Sequence, residues 1–377
     1  MDDARRFLID RSALSPLFEA LTRRGFDIVG PTLRDGAIVY DTLVSPDELP
    51  RGWTDEQAPG RYRVRRRDDD DLFSYAVGPH SWKRRLFPPR ERLWSAERTQ
   101  GGFEVRPEPP PASRLAFIGV RACELAAIAI QDRVFLPQGG GDPAYAARRG
   151  SAFIVAVHCG APAATCFCAS TGSGPRAAGG FDLALTELPG GFVVEVGSPA
   201  GAEVLADVPH APAGDGDWAA ALAVTERAAA AQTRALDASD AREVFARAFE
   251  SPRWDHVAAR CLGCANCTLV CPTCFCHTVE DVGDLTGDHA ERWRRWDSCF
   301  SLEFSRLHAG QVRSSPRARY RQWLTHKLGY WQDQFGLSGC TGCGRCITWC
   351  PPGIDLTEEL RALREEAAAG PGRERRP

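Results

Sequence analysis

The chain of 377 residues is nearly devoid of lysine and methionine: Lys83 and Lys327 are its only lysines, and Met1 its only methionine. Arginine carries the rest of the basic charge, a bias read here as compositional rather than functional. No run approaches the roughly 18 apolar residues of a membrane-spanning helix. The opening Met1-Asp2-Asp3-Ala4-Arg5-Arg6-Phe7 lacks the apolar stretch of a signal peptide. A cytoplasmic protein with no membrane partner is therefore expected. The net charge of −3 gives no global field that would favour nucleic acid. No G-x-G-x-x-G follows a strand and opens a helix, so the dinucleotide fingerprint is missing. Gly139-Gly140-Gly141 precedes Asp142-Pro143 and reads as a turn, and Gly172-Ser173-Gly174-Pro175 as a loop. There is no P-loop, no H-E-x-x-H, and no pair of C-x-x-C motifs spaced for a nickel–iron centre. Nothing in the sequence marks a group that would carry out bond chemistry.

Cysteine, in contrast, is abundant. Fifteen are present, and in a reducing compartment they act as metal ligands or redox groups rather than as disulfides. Eight fall into one pattern written twice. Cys261-x2-Cys264-x2-Cys267-x3-Cys271-Pro272 and Cys340-x2-Cys343-x2-Cys346-x3-Cys350-Pro351 both have the spacing that wraps a cubane [4Fe–4S] cluster. Three closely spaced cysteines let one tight loop surround a cluster. The fourth, before proline, serves the other cluster in two-cluster ferredoxins. The expected sets are Cys261, Cys264, Cys267 and Cys350 for one cluster, and Cys340, Cys343, Cys346 and Cys271 for the other. Zinc sites take pairs of ligands separated by a longer stretch, so two [4Fe–4S] clusters are the expected cofactors.

The fold class expected is α+β / α/β: a mixed α/β N-terminal and middle region followed by a mainly helical two-cluster ferredoxin-like domain. Residues 1–110 read as an N-terminal α+β lobe, with Asp35-Gly36 as a turn before the run Ala37 to Tyr40. Arg65 to Asp71 is self-neutralising and reads as a solvated turn. Gly78 to Trp94 mixes aromatics, prolines and cations and reads as a docking segment between domains. The proline run 107–111 marks a boundary. Residues 113–250 read as an α/β domain. Its strands are Leu115 to Val120 and Ala152 to Val157, a helix starts near Glu124, and a hairpin surrounds Pro189-Gly190-Gly191. Helix is expected over Trp218 to Leu236 and Arg242 to Phe249. Residues 253–360 hold both cluster motifs, separated by 68 residues (272–339) where a minimal ferredoxin has a short link. The insert carries Trp293, Trp296, Trp323 and Trp331 with many arginines, either tuning the clusters and docking an acidic partner or forming an ordinary helical surface. Residues 361–377 read as a disordered tail.

Seven cysteines remain. Cys123 follows the first buried strand, Cys159 the second, and Cys166-Phe167-Cys168 lies in the loop after it. Carboxyl ends of neighbouring parallel strands form one crevice, so these four are the preferred set for a third [4Fe–4S] cluster. Cys274-Phe275-Cys276 and Cys299 form the other candidate set, as alternative ligands or supporting thiols. Spacing alone does not choose between them.

The combination Gly119-Val120-Arg121-Ala122-Cys123-Glu124, Thr165-Cys166-Phe167-Cys168, Cys271-Pro272-Thr273-Cys274-Phe275-Cys276 and Trp296-Asp297-Ser298-Cys299 resembles the beta subunit of cytoplasmic sulfhydrogenases, bidirectional nickel–iron hydrogenases coupled to NAD(P). It is also similar to the iron–sulfur subunit of anaerobic sulfite reductase that shares this architecture. The resemblance covers about residues 60–356, and Ala122 stands where proline is expected in the family. It implies a non-catalytic iron–sulfur electron-transfer subunit. Its partners would be a flavin/NAD(P)-binding subunit and a nickel–iron hydrogenase (or sulfite reductase) subunit. A self-contained flavin oxidoreductase is the alternative from another class, against which the missing nucleotide fingerprint argues. A redox sensor with exposed switch thiols is a third.

Overall fold

The computed structural model describes residues 6–369. It begins with β1 (Arg6–Asp10), α1 (Leu14–Arg23) and the hairpin β2 (Phe26–Arg34)–β3 (Ala37–Thr42). Asp35 and Gly36 turn this hairpin with φ of 48° and 73°, the positive values that match strand twist. A second hairpin β4 (Trp53–Ala58)–β5 (Arg61–Arg66), the short α2 (Lys83–Leu86) and a third hairpin β6 (Arg90–Thr99)–β7 (Gly102–Pro107) follow. Next come β8 (Arg114–Val120), α3 (Ala122–Phe135), α4 (Pro143–Ser151), β9 (Phe153–Val157), β10 (Leu183–Leu188), β11 (Gly191–Val196), α5 (Pro199–Leu205), β12 (Ala211–Pro212) and α6 (Asp215–Ala230). The last part contains α7 (Ala241–Arg247), α8 (Arg253–Ala258), α9 (Asn266–Leu269), the hairpin β13 (His277–Gly283)–β14 (His289–Trp296) and α10 (Pro316–Thr325). A π-turn (His326–Tyr330), α11 (Trp331–Phe335), α12 (Arg345–Thr348) and α13 (Leu356–Ala369) complete it.

One eight-stranded sheet, in the order β12-β1-β11-β10-β9-β8-β2-β3, organises the first two-thirds of the chain. Its centre is parallel: β2, β8, β9 and β10 pair in one direction. Parallel strands need both faces covered. One face packs Leu17 and Leu21 of α1 with Val204 and Leu205 of α5. The other packs α3 and Tyr145 of α4 with Trp82 and Phe87. Trp82 lies between the rings of Tyr40 and Phe117, with centroids 4.1 and 4.6 Å away. The Gly78–Trp94 segment thus packs its aromatic residues Trp82 and Phe87 against this sheet.

Three sequence expectations change. The regions 1–110 and 113–250, read as a lobe and a domain, share one sheet, because β1 pairs with β11 and β2 with β8. The proline run connects strands of two sheets instead of separating two bodies; periodicity finds strands but not their partners. The expectation of a mainly helical region after 253 is not confirmed, because strands accompany its helices. Its β13–β14 hairpin joins β6–β7 in a four-stranded sheet, β13-β14-β6-β7. The tail reading fails over 361–369, which continue α13. Leu356, Leu360 and Leu363 recur at helical spacing and are fully buried. Each contributes about 2 kcal/mol, enough to hold this short terminal helix to its core. Residues 370–377 lie outside the described residues.

Candidate metal centres

The two cysteine motifs adopt the same backbone. Gly263 and Gly342, at matching positions, take φ of 63° and 61°, and Ala265 and Gly344 take 65° and 75°. These left-handed residues curl each loop back so that its thiols face inward. One-turn helices, α9 and α12, then carry the third cysteine of each motif.

Cys261, Cys264, Cys267 and Cys350 line one small cavity, together with Phe300, Tyr320, Trp323 and Ile354. Cys340, Cys343, Cys346 and Cys271 gather as a second group. Burial, then the neighbouring Cys340, pushes the Cys346 thiol well above its usual range, and burial takes Cys340 up to about 11. Such thiols ionise only when a cation compensates them, the condition that metal ligation meets. Among the described residues, the hydroxyl of Tyr320 and the indole N–H of Trp323 are buried without hydrogen-bond partners, and both side chains line the first cavity. Unpartnered donors on side chains that line a four-thiol cavity fit an anionic sulfur-rich group. No described set of three or more His, Cys, Asp or Glu could hold a single metal ion.

Cys123, Cys159, Cys166 and Cys168 converge at the carboxyl ends of β8 and β9. They line one small cavity with Ala76, Val77, Arg121, Ala122, Pro162 and Pro175. Burial raises Cys123 and Cys166 well above the ordinary thiol range. Burial also takes Cys168 up to about 11, opposed by a 3.2 Å hydrogen bond from Gln232 Nε2. Arg121 is 2% exposed and gives Nη1 and Nη2 to the carbonyls of His158, Phe73 and Tyr75. Its Nε has no partner among the described residues. A buried guanidinium with a spare donor beside four thiols again fits an anionic group.

This set abuts the second group. Cys123, Cys168 and Cys343 pack together with Val77, and Cys166 Sγ lies 4.0 Å from Cys343 O. Cys346 of the second group in turn lines the first cavity. The three sets therefore follow one another through the molecule. A buried ion pair bolts two of them together: Arg345 Nη2 sits 2.5 Å from Glu124 Oε1, both residues essentially unexposed. Glu124 Oε2 also accepts from Tyr40 Oη at 2.6 Å and Trp82 Nε1 at 3.1 Å.

The other cysteine set behaves differently. Cys274 hydrogen-bonds Cys271, and Cys276 hydrogen-bonds Cys299, which lowers Cys276 to about 7 and raises Cys299. The closest contacts of these thiols are pairwise, with Cys276 also near Cys274 and Cys267 near Cys299.

The two lysines proved more informative than the compositional reading allowed. Both are buried. Lys83 donates to the carbonyls of Thr268, Leu269 and Cys274 at 3.4, 3.3 and 3.1 Å. Its ammonium also sits 3.9 Å from the Trp296 ring centroid. Lys327 donates to Cys271 Sγ at 3.2 Å. Sequence reasoning also missed Arg345, Glu124, Tyr320 and Gln232; only the lysines carried a signal, their scarcity.

Residues 260–354 match the 4Fe-4S dicluster domain family. The class is thus that of iron–sulfur proteins with two [4Fe–4S] clusters, whose function is electron transfer. Over 263 residues the chain is 36% identical to the sulfhydrogenase 2 subunit beta of Pyrococcus furiosus, covering 67% of this chain and 75% of that one. The chain belongs to the sulfhydrogenase beta-subunit family, as the sequence resemblance implied. No solved structure matches it significantly. No helix among the described residues is long and apolar enough to cross a membrane.

Proposed function

We propose that this chain is the electron-relay subunit of a hydrogenase-type complex, working between a flavin subunit that handles NAD(P)H and a catalytic nickel–iron subunit. The observation that carries the reading is the succession of three thiol sets across one molecule. Cys261, Cys264, Cys267 and Cys350 would hold the first [4Fe–4S] cluster, and Cys340, Cys343, Cys346 and Cys271 the second. Cys123, Cys159, Cys166 and Cys168 would hold a third. When bound, each cluster supplies a one-electron redox centre. The protein supplies burial, fixed donors and spacing. Arg121 offers its spare N–H to the third site, and Tyr320 and Trp323 offer theirs to the first.

The first site opens to the surface. Cys264 is exposed, and Leu262 beside it is 68% exposed. An apolar tip next to a ligand loop suits transient docking of a redox partner, so this end is the proposed exit or entry point. Iron analysis of the anaerobically prepared protein tests the reading. About twelve irons per chain are expected for three cubanes, and about eight would remove the third. Cys166→Ala should lose about four irons while Cys274→Ala retains all of them. Iron loss in Cys274→Ala alone would transfer the third site to the other cysteine set.

A further inference from the structure

We propose that Lys327 makes the two ferredoxin-type clusters electronically unequal: its ammonium, bonded to Cys271 Sγ, raises the reduction potential of the second cluster above that of the first. The inference rests on the two clusters and ligand sets given above, and its test separates the two claims.

Lys327 is 5% exposed and sits in the π-turn, an irregularity that often marks a functional position. Its Nζ lies 3.2 Å from Cys271 Sγ, 3.1 Å from Thr273 Oγ1 and 2.8 Å from Gly339 O. The Thr273 hydroxyl has one proton to give, to Gly339 O at 2.7 Å or to Cys271 Sγ at 3.1 Å, and a ligating Cys271 thiolate only accepts, so with Cys271 as a ligand all three neighbours accept from the lysine. Three acceptors require three N–H donors, which only the ammonium has. With Cys271 as a ligand, the geometry calls for the charged form.

The ammonium bridges the two motifs, touching the last cysteine of the first and the residue preceding Cys340. Reduction adds negative charge to a cluster, and a charge-assisted hydrogen bond to a ligand sulfur stabilises the reduced form more than the oxidised one. Among the described residues no cation hydrogen-bonds a thiol of the first set, whose unpartnered donors, Tyr320 and Trp323, are neutral. Cys350 receives only backbone N–H groups, from Gly353 and from Ile354 at 3.4 Å. A chain that uses lysine at only two positions keeps one here because a compact ammonium fits among three convergent acceptors and a planar guanidinium does not. The long insert between the motifs thereby acquires a purpose: it delivers this cation.

Potentiometric titration of the holoprotein, followed by electron paramagnetic resonance, reads the effect. Lys327→Gln should keep its full iron content while one reduction wave moves to more negative potential and the others stay in place. Full iron with no displaced wave overturns the proposal. Wild-type protein without iron would instead overturn the cluster assignment itself. If Lys327→Gln loses iron, the wild type decides. Protein grown on lysine labelled with 15N at Nζ, poised at the higher potential where the second cluster is reduced and the first is not, should show a 15N hyperfine coupling. With only two lysines in the chain, no surface background obscures it. The coupling should persist in Lys83→Arg; its absence from the wild type overturns the proposal.

Discussion

The two C-x2-C-x2-C-x3-C-P loops are nearly identical in backbone and nearly opposite in surroundings. Around the first, Gly263 has nothing within 4 Å of where a Cβ would sit, and Cys264 is exposed. Around the second, a Cβ on Gly342 would lie 2.6 Å from Cys168 N, and one on Gly344 2.5 Å from Thr165 O. Asn266 and Arg345 occupy the same motif position. Asn266 makes a 3.2 Å hydrogen bond to Trp349 O, whereas Arg345 is fully buried against Glu124. Duplicating a ligand pattern thus fixes what is bound, while packing decides whether a site faces solvent or the interior.

The largest test of this contrast is at that shared position. Arg345→Ala leaves Glu124 buried without its cation and should cost about 3–5 kcal/mol. Asn266→Ala removes one hydrogen bond and should cost about 1 kcal/mol. Anaerobic thermal unfolding followed at the cluster absorbance compares them, and equal losses would erase the distinction between the loops. The glycines come next. Gly342→Ala should lose about 1–2 kcal/mol to left-handed strain and about 1–3 kcal/mol more to overlap with the Cys168 backbone. Gly263→Ala should show only the strain, about 1–2 kcal/mol. The smallest effect has the opposite sign. Ala265 holds φ at 65° where the second loop has glycine, so Ala265→Gly should stabilise by roughly 0.5–1 kcal/mol. A destabilised Ala265→Gly protein would mean that its methyl group packs more tightly than the open first loop suggests.

Much of this was legible in the sequence. The strands around Leu115 and Phe153, the Asp35-Gly36 turn and the hairpin at Gly190 follow from periodicity and turn chemistry, which are local. The gathering of Cys123, Cys159, Cys166 and Cys168 followed from one topological rule about parallel strand ends. What escaped was non-local. β1 and β2 join strands more than 80 residues away, and no local pattern names a strand's partner. The insert's Lys327 looked like a compositional remnant because its acceptors, Cys271, Thr273 and Gly339, lie at the two ends of the insert, away from it in sequence.

The sequence alone determined the chemistry: thiol ligands at cubane spacing, written twice, with further thiols at strand ends. It could do so because a tight loop sets the geometry of its own cysteines. Only the tertiary structure decided the order of the sites, which loop is buried, and where the two lysine charges lie. Those depend on contacts between segments far apart in the chain, such as Arg345 with Glu124 and Lys327 with Cys271, and such contacts exist only once the sheet and the cluster region have packed together.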